Sequence, residues 1–316
     1  MSSFEATLNL PTPCQLLEQS TLIGMPVWVK RDDLVHPVVS GNKYRKLKYS
    51  LAKIAQASRQ ADHVPRLITM GGLWSNHVHA TAYAAHALGY ESLALIRGHE
   101  GMHSAMLDDC IERGMQIRFL NRLNYRALRD DPMHRTTLIE SDDHQYWLPE
   151  GGSDPAALQG VAELIEELPF IPDIILVGCG TAATLAGLLV GLKGRSFVIG
   201  IAVLQDAAYL RDEVSRLLEQ AGYPDYQNYV LRTDFHHGGY AKVSPELRQF
   251  CYEFMAQYQV PVEPVYTGKV FFALSSLIQS GAIPPDQRVM VLHTGGLQGA
   301  RGLGLSRAVD IGSDAV

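Results

Sequence analysis

Short apolar runs and amphipathic stretches alternate along this chain, separated by turn-forming residues. Residues 27–30 read as a strand, followed by an acidic turn, Arg31-Asp32-Asp33. The spacing of apolar positions predicts a helix from Lys43 to about residue 57. Residues 67–70 form a short apolar strand that runs into Gly71-Gly72, and 76–88, rich in Ala and His, read as a helix stopped by Gly89. Residues 92–96 are strand-like, 103–113 helix-like with Gly114 behind them, and 116–120 strand-like again. The stretch 121–145 is polar and irregular and predicts a connection between domains. Beyond it the pattern predicts helices at 156–168, 184–192, 209–220, 245–257 and 269–280, and strands at 174–177, 197–203 and 289–292.

Alternating strands and helices of these lengths are the signature of parallel βαβ units. The expected class is α/β with two domains, each a largely parallel sheet flanked by helices. The expected division is a larger domain of residues 1–46 and 150–316, with a smaller α/β domain, 47–149, inserted after the helix of Lys43. A cofactor or substrate site is expected between them. One segment resembles a membrane span: residues 174–192 carry no charge and approach the ~18 apolar residues a span needs. Gly178-Cys179-Gly180-Thr181 breaks it into a short β-like run and a small-residue helix, so a strand, loop and helix are expected.

Composition narrows the function. The chain has 316 residues, 47% hydrophobic and 19% charged, with a formal net charge of -6. It can bury sizeable cores, and the negative balance argues against nucleic-acid or anionic-membrane partners. Cys14, Cys110, Cys179 and Cys251 form no Cys-x-x-Cys pair, which predicts free thiols in a reducing compartment. The first residues, Met1-Ser2-Ser3-Phe4-Glu5, lack the basic-then-apolar pattern of a signal peptide, so a cytoplasmic location is expected.

The most informative segment is Ser40-Gly41-Asn42-Lys43-Tyr44-Arg45-Lys46-Leu47. A turn-forming triplet delivers Lys43 at a helix start. Held out of bulk water, a lysine loses its proton more readily, and a neutral amine is what Schiff-base chemistry with an aldehyde cofactor requires. Lys46, Lys48 and Lys53 belong to the same helix, on its solvated or phosphate-facing side. Lys193 follows a helix end. Lys269, after Gly268 at a predicted helix start, is the one rival in a comparable setting.

Three loops supply partners. Gly178-Cys179-Gly180-Thr181-Ala182-Ala183-Thr184 joins a strand to a helix, where backbone N–H groups and threonine hydroxyls can cradle one small phosphate. It is neither a Walker A loop nor a dinucleotide fingerprint; a tight turn that binds nothing is the competing reading. Gly71-Gly72-Leu73-Trp74-Ser75-Asn76-His77 has the same design and can clamp a carboxylate at the helix start, or can be an ordinary terminus capped by Ser75. In Leu292-His293-Thr294-Gly295-Gly296, Thr294 either offers a neutral hydroxyl to a ring nitrogen or simply ends a strand. His79 and His86 share a helix face without an acidic residue at ligand spacing, so no metal site is expected. The pair His236-His237 is read as loop structure.

Taken together, Ser40-Gly41-Asn42-Lys43, Gly71-Gly72-x-x-Ser75-Asn76-His77, Thr184-x-Ala186-Gly187-Leu188, Pro264-Val265-Tyr266-x-Gly268-Lys269 and His293-Thr294-Gly295-Gly296 resemble, in that order, the D-cysteine desulfhydrases and 1-aminocyclopropane-1-carboxylate (ACC) deaminases. These are fold-type-II pyridoxal-phosphate enzymes, relatives of the tryptophan synthase β-subunit. The resemblance implies pyridoxal 5'-phosphate as cofactor, a small amino acid as substrate and a homodimer as assembly. It makes Lys43 the Schiff-base lysine that later moves the α-proton. It places Asn76 on the cofactor's phenolic oxygen, the loop of Gly180, Thr181, Ala182, Ala183 and Thr184 on the phosphate, and Thr294 near the pyridine end. Ser75, Asn76 and His77 would hold the substrate carboxylate, and Tyr266 would lie over the substrate as an acid/base or orienting group, with Thr267 beside it.

Two departures from the family pattern bear on chemistry. Alanines stand at 182 and 183 where the family commonly has glycine, and alanine adopts positive φ only at a cost. ACC deaminases resemble Tyr-Glu-Gly and His-Leu-Gly-Gly where this chain has Tyr266-Thr267-Gly268 and His293-Thr294-Gly295-Gly296. Both differences match the D-cysteine desulfhydrase branch. The expected reaction is α,β-elimination of D-cysteine to pyruvate, hydrogen sulfide and ammonia. The alternatives are ACC deamination, elimination on another D-amino acid, or a non-catalytic cofactor-binding protein.

Overall fold

A computed structural model describes residues 4–131, 133–135 and 144–303. Two sheets organise them. The larger contains β1 (Cys14–Leu17), β2 (Val27–Lys30), β7 (Ile174–Cys179), β8 (Phe197–Ala202), β9 (Tyr229–Arg232) and β10 (Val289–Leu292), in the order β1-β2-β10-β7-β8-β9. Only the β1–β2 pair is antiparallel. The smaller, wholly parallel sheet has the order β5-β4-β3-β6, built from β3 (Arg66–Gly71), β4 (Glu91–Arg97), β5 (Gln116–Leu120) and β6 (Gln145–Leu148).

The larger sheet is buried on both faces, so its central strands are continuous apolar runs. On β7, Ile175, Val177 and Cys179 face a layer of α5 (Pro155–Ala162), α6 (Ala183–Leu192) and α7 (Leu210–Gln220). Ile174 and Leu176 face the opposite layer of α8 (Pro245–Tyr258) and α9 (Thr267–Gln279). The uncharged run at 174–192 is thus a central strand and a buried helix, and among the described residues no helix is long and apolar enough to cross a membrane. Against the smaller sheet pack α1 (Asn42–Ala61), α2 (Asn76–Leu88) and α3 (Ala105–Glu112).

The expectation of an irregular connection over 121–145 is overturned. Helix α4 (Arg122–Asp130) lies there and buries Tyr125 and Leu128 on β4 and β5. Apart from exposed Leu123 and the small Ala127 its other positions are polar, which hid the helix, and the Asn121 side chain caps it by accepting from the Asn124 N–H at 2.9 Å. Strand β6, paired with β3, begins at Gln145; residues 132 and 136–143 lie outside the described set. The edge strands β1 and β9 carry too little periodicity to be legible in the sequence, because each has four residues and a single buried position.

A buried ion network fixes α1 to the larger sheet. Arg45 donates to Asp32 at 2.6 and 2.8 Å and to both oxygens of Glu167 at 2.9 Å, and Lys30 reaches Glu167 at 2.6 Å. The acidic turn after β2 is therefore the anchor of the helix that presents Lys43.

Candidate active site

The loops that leave the carboxyl ends of β3, β7 and β10 face one another across a cleft of about 1850 Å³ lined from both sheets. Such crevices are where parallel α/β proteins bind ligands. Lys43 stands in the first turn of α1 and lines this cleft. Gly41, immediately before α1, has φ 58 and ψ -134. An ideal Cβ there would sit 2.0 Å from the Thr294 carbonyl oxygen, so only glycine lets the Lys43 turn touch the Thr294 loop. The Lys43 ammonium donates to Asn42 Oδ1 at 2.8 Å, and Asn42 Nδ2 donates to Thr184 Oγ1 at 2.9 Å. Burial, partly offset by the charge of Glu263, brings Lys43 from 10.5 down to about 8.

One turn on, Lys46 is buried and donates to Gly151 O at 3.0 Å and to Thr181 Oγ1 at 3.2 Å. Burial, with Lys43 adding like-charge repulsion, holds its pKa well below the usual lysine range. The start of α6 opens on the same spot: Ala182 precedes it, no side chain caps it, and Thr181, Ala182 and Thr184 line the cleft. Ala182 has φ -73, and neither alanine adopts positive φ, so glycine is not required at either position. Ala183 opens α6 and does not line the cleft.

His77 is 1% exposed, and neither ring nitrogen has a hydrogen-bond partner. Burial first, then the charges of Lys43 and Lys46, push it down to about 3, so its imidazole is neutral at ordinary pH. Two lysines without an ion pair among the described residues, an orphaned buried imidazole and an uncapped helix start converge here. Such a neighbourhood is costly unless an anion fills it, and a phosphate of about this size fits that need.

Ser75 lines the cleft and caps α2 by accepting from the Val78 N–H at 3.3 Å. The N–H groups of Asn76 and His77 belong to the first turn of α2, whose donors have no acceptor inside the helix. Asn76 is held from the other side by Gln298, which donates to its Oδ1 at 2.5 Å. Tyr266 and Thr294 complete the wall. Burial first, then Tyr240 and Glu263, keep the Tyr266 phenol protonated well above the usual range, and the Tyr240 ring meets it edge-on at 5.8 Å.

Thr267 requires a correction. It is 2% exposed and does not line the cleft; its hydroxyl accepts from the Glu263 N–H at 3.0 Å. As the first residue of α9, its side chain is turned back along the incoming chain toward Glu263. Lys269 is also removed from the cleft, since it donates to Gly239 O at 2.8 Å and Val203 O at 3.3 Å. Sequence reasoning missed Asn42, Gln298 and Glu263. Of the lysines expected on the solvated or phosphate-facing side of α1, Lys46 is the one that lines the cleft, because three residues after Lys43 it lies on the same helix face. Among the described residues no cluster of ligand side chains could hold a metal ion.

The fold and this lysine-centred anion cleft define a cofactor-dependent α/β enzyme. The model of the pyridoxal-phosphate dependent enzyme family matches residues 6–295, and the chain belongs to that family. A Pyrococcus furiosus protein whose name gives 1-aminocyclopropane-1-carboxylate deaminase as a provisional activity is 31% identical over 95% of this chain and 94% of its own length. A Salmonella newport D-cysteine desulfhydrase is 29% identical over 92% of each chain. Among solved structures, an ACC deaminase homologue superposes with a TM-score of 0.80 at 28% identity, covering 96% of this chain and 95% of that one.

Proposed function

We propose that the chain catalyses α,β-elimination from a small D-amino acid, D-cysteine first, releasing pyruvate, hydrogen sulfide and ammonia. When bound, pyridoxal phosphate supplies the electron sink that makes the substrate Cα–H acidic. The start of α6, with Thr181, Thr184 and Lys46, is suited to hold its phosphate, and Asn76 to hydrogen-bond its phenolic oxygen. The Asn76 and His77 N–H groups with Ser75 suit the substrate carboxylate. Lys43, brought to about 8, has a neutral amine available near neutral pH to take the α-proton. The protonated Tyr266 phenol orients the substrate and can donate to the leaving sulfur.

The observation that favours D-cysteine is Thr294, a neutral hydroxyl lining the cleft where ACC deaminases resemble leucine. The argument from Thr267 loses its geometric basis, because that side chain faces Glu263 rather than the cleft. This and the name of the Pyrococcus relative favour ACC deamination as the second reading. A panel of D- and L-amino acids plus ACC separates the two: pyruvate and sulfide from D-cysteine support the first, and 2-oxobutyrate from ACC alone overturns it. Lys43→Ala should abolish the visible absorption band of the purified holoenzyme; an unchanged band refutes the role of Lys43. The homodimer is tested by light scattering.

A further inference from the structure

Helix α9 begins at Thr267, and the residue at its cap position is Tyr266, with φ -124 and ψ -71. That position ordinarily holds a Ser, Thr, Asp or Asn whose side chain satisfies the first free N–H groups. A tyrosine ring cannot do so, and the Tyr266 side chain makes no cap bond. It lines the cleft instead.

The missing cap comes from three residues upstream. Glu263 is 0% exposed. One carboxylate oxygen accepts from the Tyr266 and Thr267 N–H groups, both at 2.8 Å, and the other from the Val265 N–H at 2.7 Å. The Glu263 carbonyl accepts from the Gly268 N–H at 2.8 Å. Among the described residues no cation lies within ion-pair distance of this carboxylate, so backbone donors hold it. It does not line the cleft. The ring it leaves free has a floor, because a Cβ at Gly180 would sit 2.7 Å from Tyr266 Cε1. Tyr240 forms its wall.

We propose that Glu263 is a positioning residue: its buried carboxylate takes over the capping of α9, fixes the backbone of Tyr266 and so keeps the phenol over the cleft. This rests on the role given to Tyr266 above. Glu263 touches neither substrate nor cofactor and acts only through the tyrosine.

Holoenzyme variants Glu263→Gln, Tyr266→Phe and their combination are compared by kcat and KM with D-cysteine, by the visible band of the bound cofactor and by amide hydrogen exchange over residues 263–268. The glutamine keeps the shape but turns one acceptor into a donor that faces an N–H. Exchange at Val265, Tyr266 and Thr267 should rise about tenfold or more in the Gln variant. Its kcat should fall about tenfold with KM within about threefold and the band retained. The double variant should be no slower than Tyr266→Phe alone, because one residue works through the other. Unchanged exchange and kcat, or losses that multiply in the double variant, overturn the proposal. If the Gln variant does not fold, Glu263→Asp keeps the acceptor and should stay within about threefold of the native kcat; an Asp variant as stable as the native enzyme but as slow as Tyr266→Phe overturns the proposal as well. If the native enzyme turns over no member of the amino-acid panel, the elimination reading fails, while the exchange comparison still decides whether Glu263 holds Tyr266.

Discussion

Replacing Gly41 by alanine tests how the lysine turn is built. The backbone there, φ 58 and ψ -134, is one that residues with a side chain rarely enter, at a cost of about 1–3 kcal/mol. The new methyl would also meet the Thr294 carbonyl oxygen at 2.0 Å, its carbon at 2.3 Å and the Gly295 nitrogen at 2.9 Å. These are backbone atoms, so no rotamer change relieves the clash, and overpacking of this kind adds about 1–3 kcal/mol. The combined cost of about 2–6 kcal/mol is a large share of the roughly 5–15 kcal/mol that keeps a protein folded. At roughly 2 °C per kcal/mol for a chain of this length, melting should fall by about 4–12 °C. Lys43 lies two residues away, and a shift of about 1 Å in a reacting group can cost roughly a hundredfold in rate. The assays are thermal melting by circular dichroism, the visible cofactor band and pyruvate release from D-cysteine. Gly72→Ala is the control for stability: its Cβ would have nothing within 4 Å, so melting should hold or rise slightly. A Gly41→Ala protein that melts within about 2 °C of the native one and turns over at the native rate would refute the reasoning.

Arg45→Met should cost about 3–5 kcal/mol in a denaturant or thermal melt, because it strands Asp32 and Glu167 in a buried network. Burial disfavours the Glu167 charge, but bonds from Arg45 and Lys30 outweigh it and hold its carboxyl below the usual 4.5. Its contribution is therefore present above that value and lost as pH falls through the folded pKa, so native and variant melts should converge in acid. Lys46→Met should raise the melting temperature of the apoprotein, by removing a buried amine that has no ion pair among the described residues, and weaken pyridoxal-phosphate affinity roughly 10- to 100-fold in a fluorescence titration. Borohydride trapping of pyridoxal phosphate on Lys43 of the apoprotein should rise through about pH 8 rather than 10.5. An unfolded lysine keeps its proton up to the higher value, so Lys43 should make stability increase with pH between the two; Lys43→Met should remove that slope from pH-dependent melts.

Sequence periodicity was enough for most elements. The helix predicted at 76–88 and the strands predicted at 116–120 and 289–292 coincide with α2, β5 and β10, because their apolar spacing is strong and glycines mark several of their ends. It failed at α4, where two buried residues on a polar helix leave little pattern, and at edge strands of four residues. The motifs also singled out Lys43, the two helix-start loops and Thr294, since glycine-rich turns before helices carry their own chemistry. Which of these face one another was a matter of long-range packing. Gly41 needs glycine because of a carbonyl some 250 residues away in sequence, Thr267 turns from the cleft because Glu263 lies beneath it, and Lys269 is tied to two carbonyls from other loops. The sequence by itself determined the class of fold and singled out Lys43 as the candidate Schiff-base lysine, because both are written in local patterns. Only the tertiary structure decided which neighbours complete the site, because burial, unpaired nitrogens and backbone donors take their meaning from atoms that no local pattern brings together.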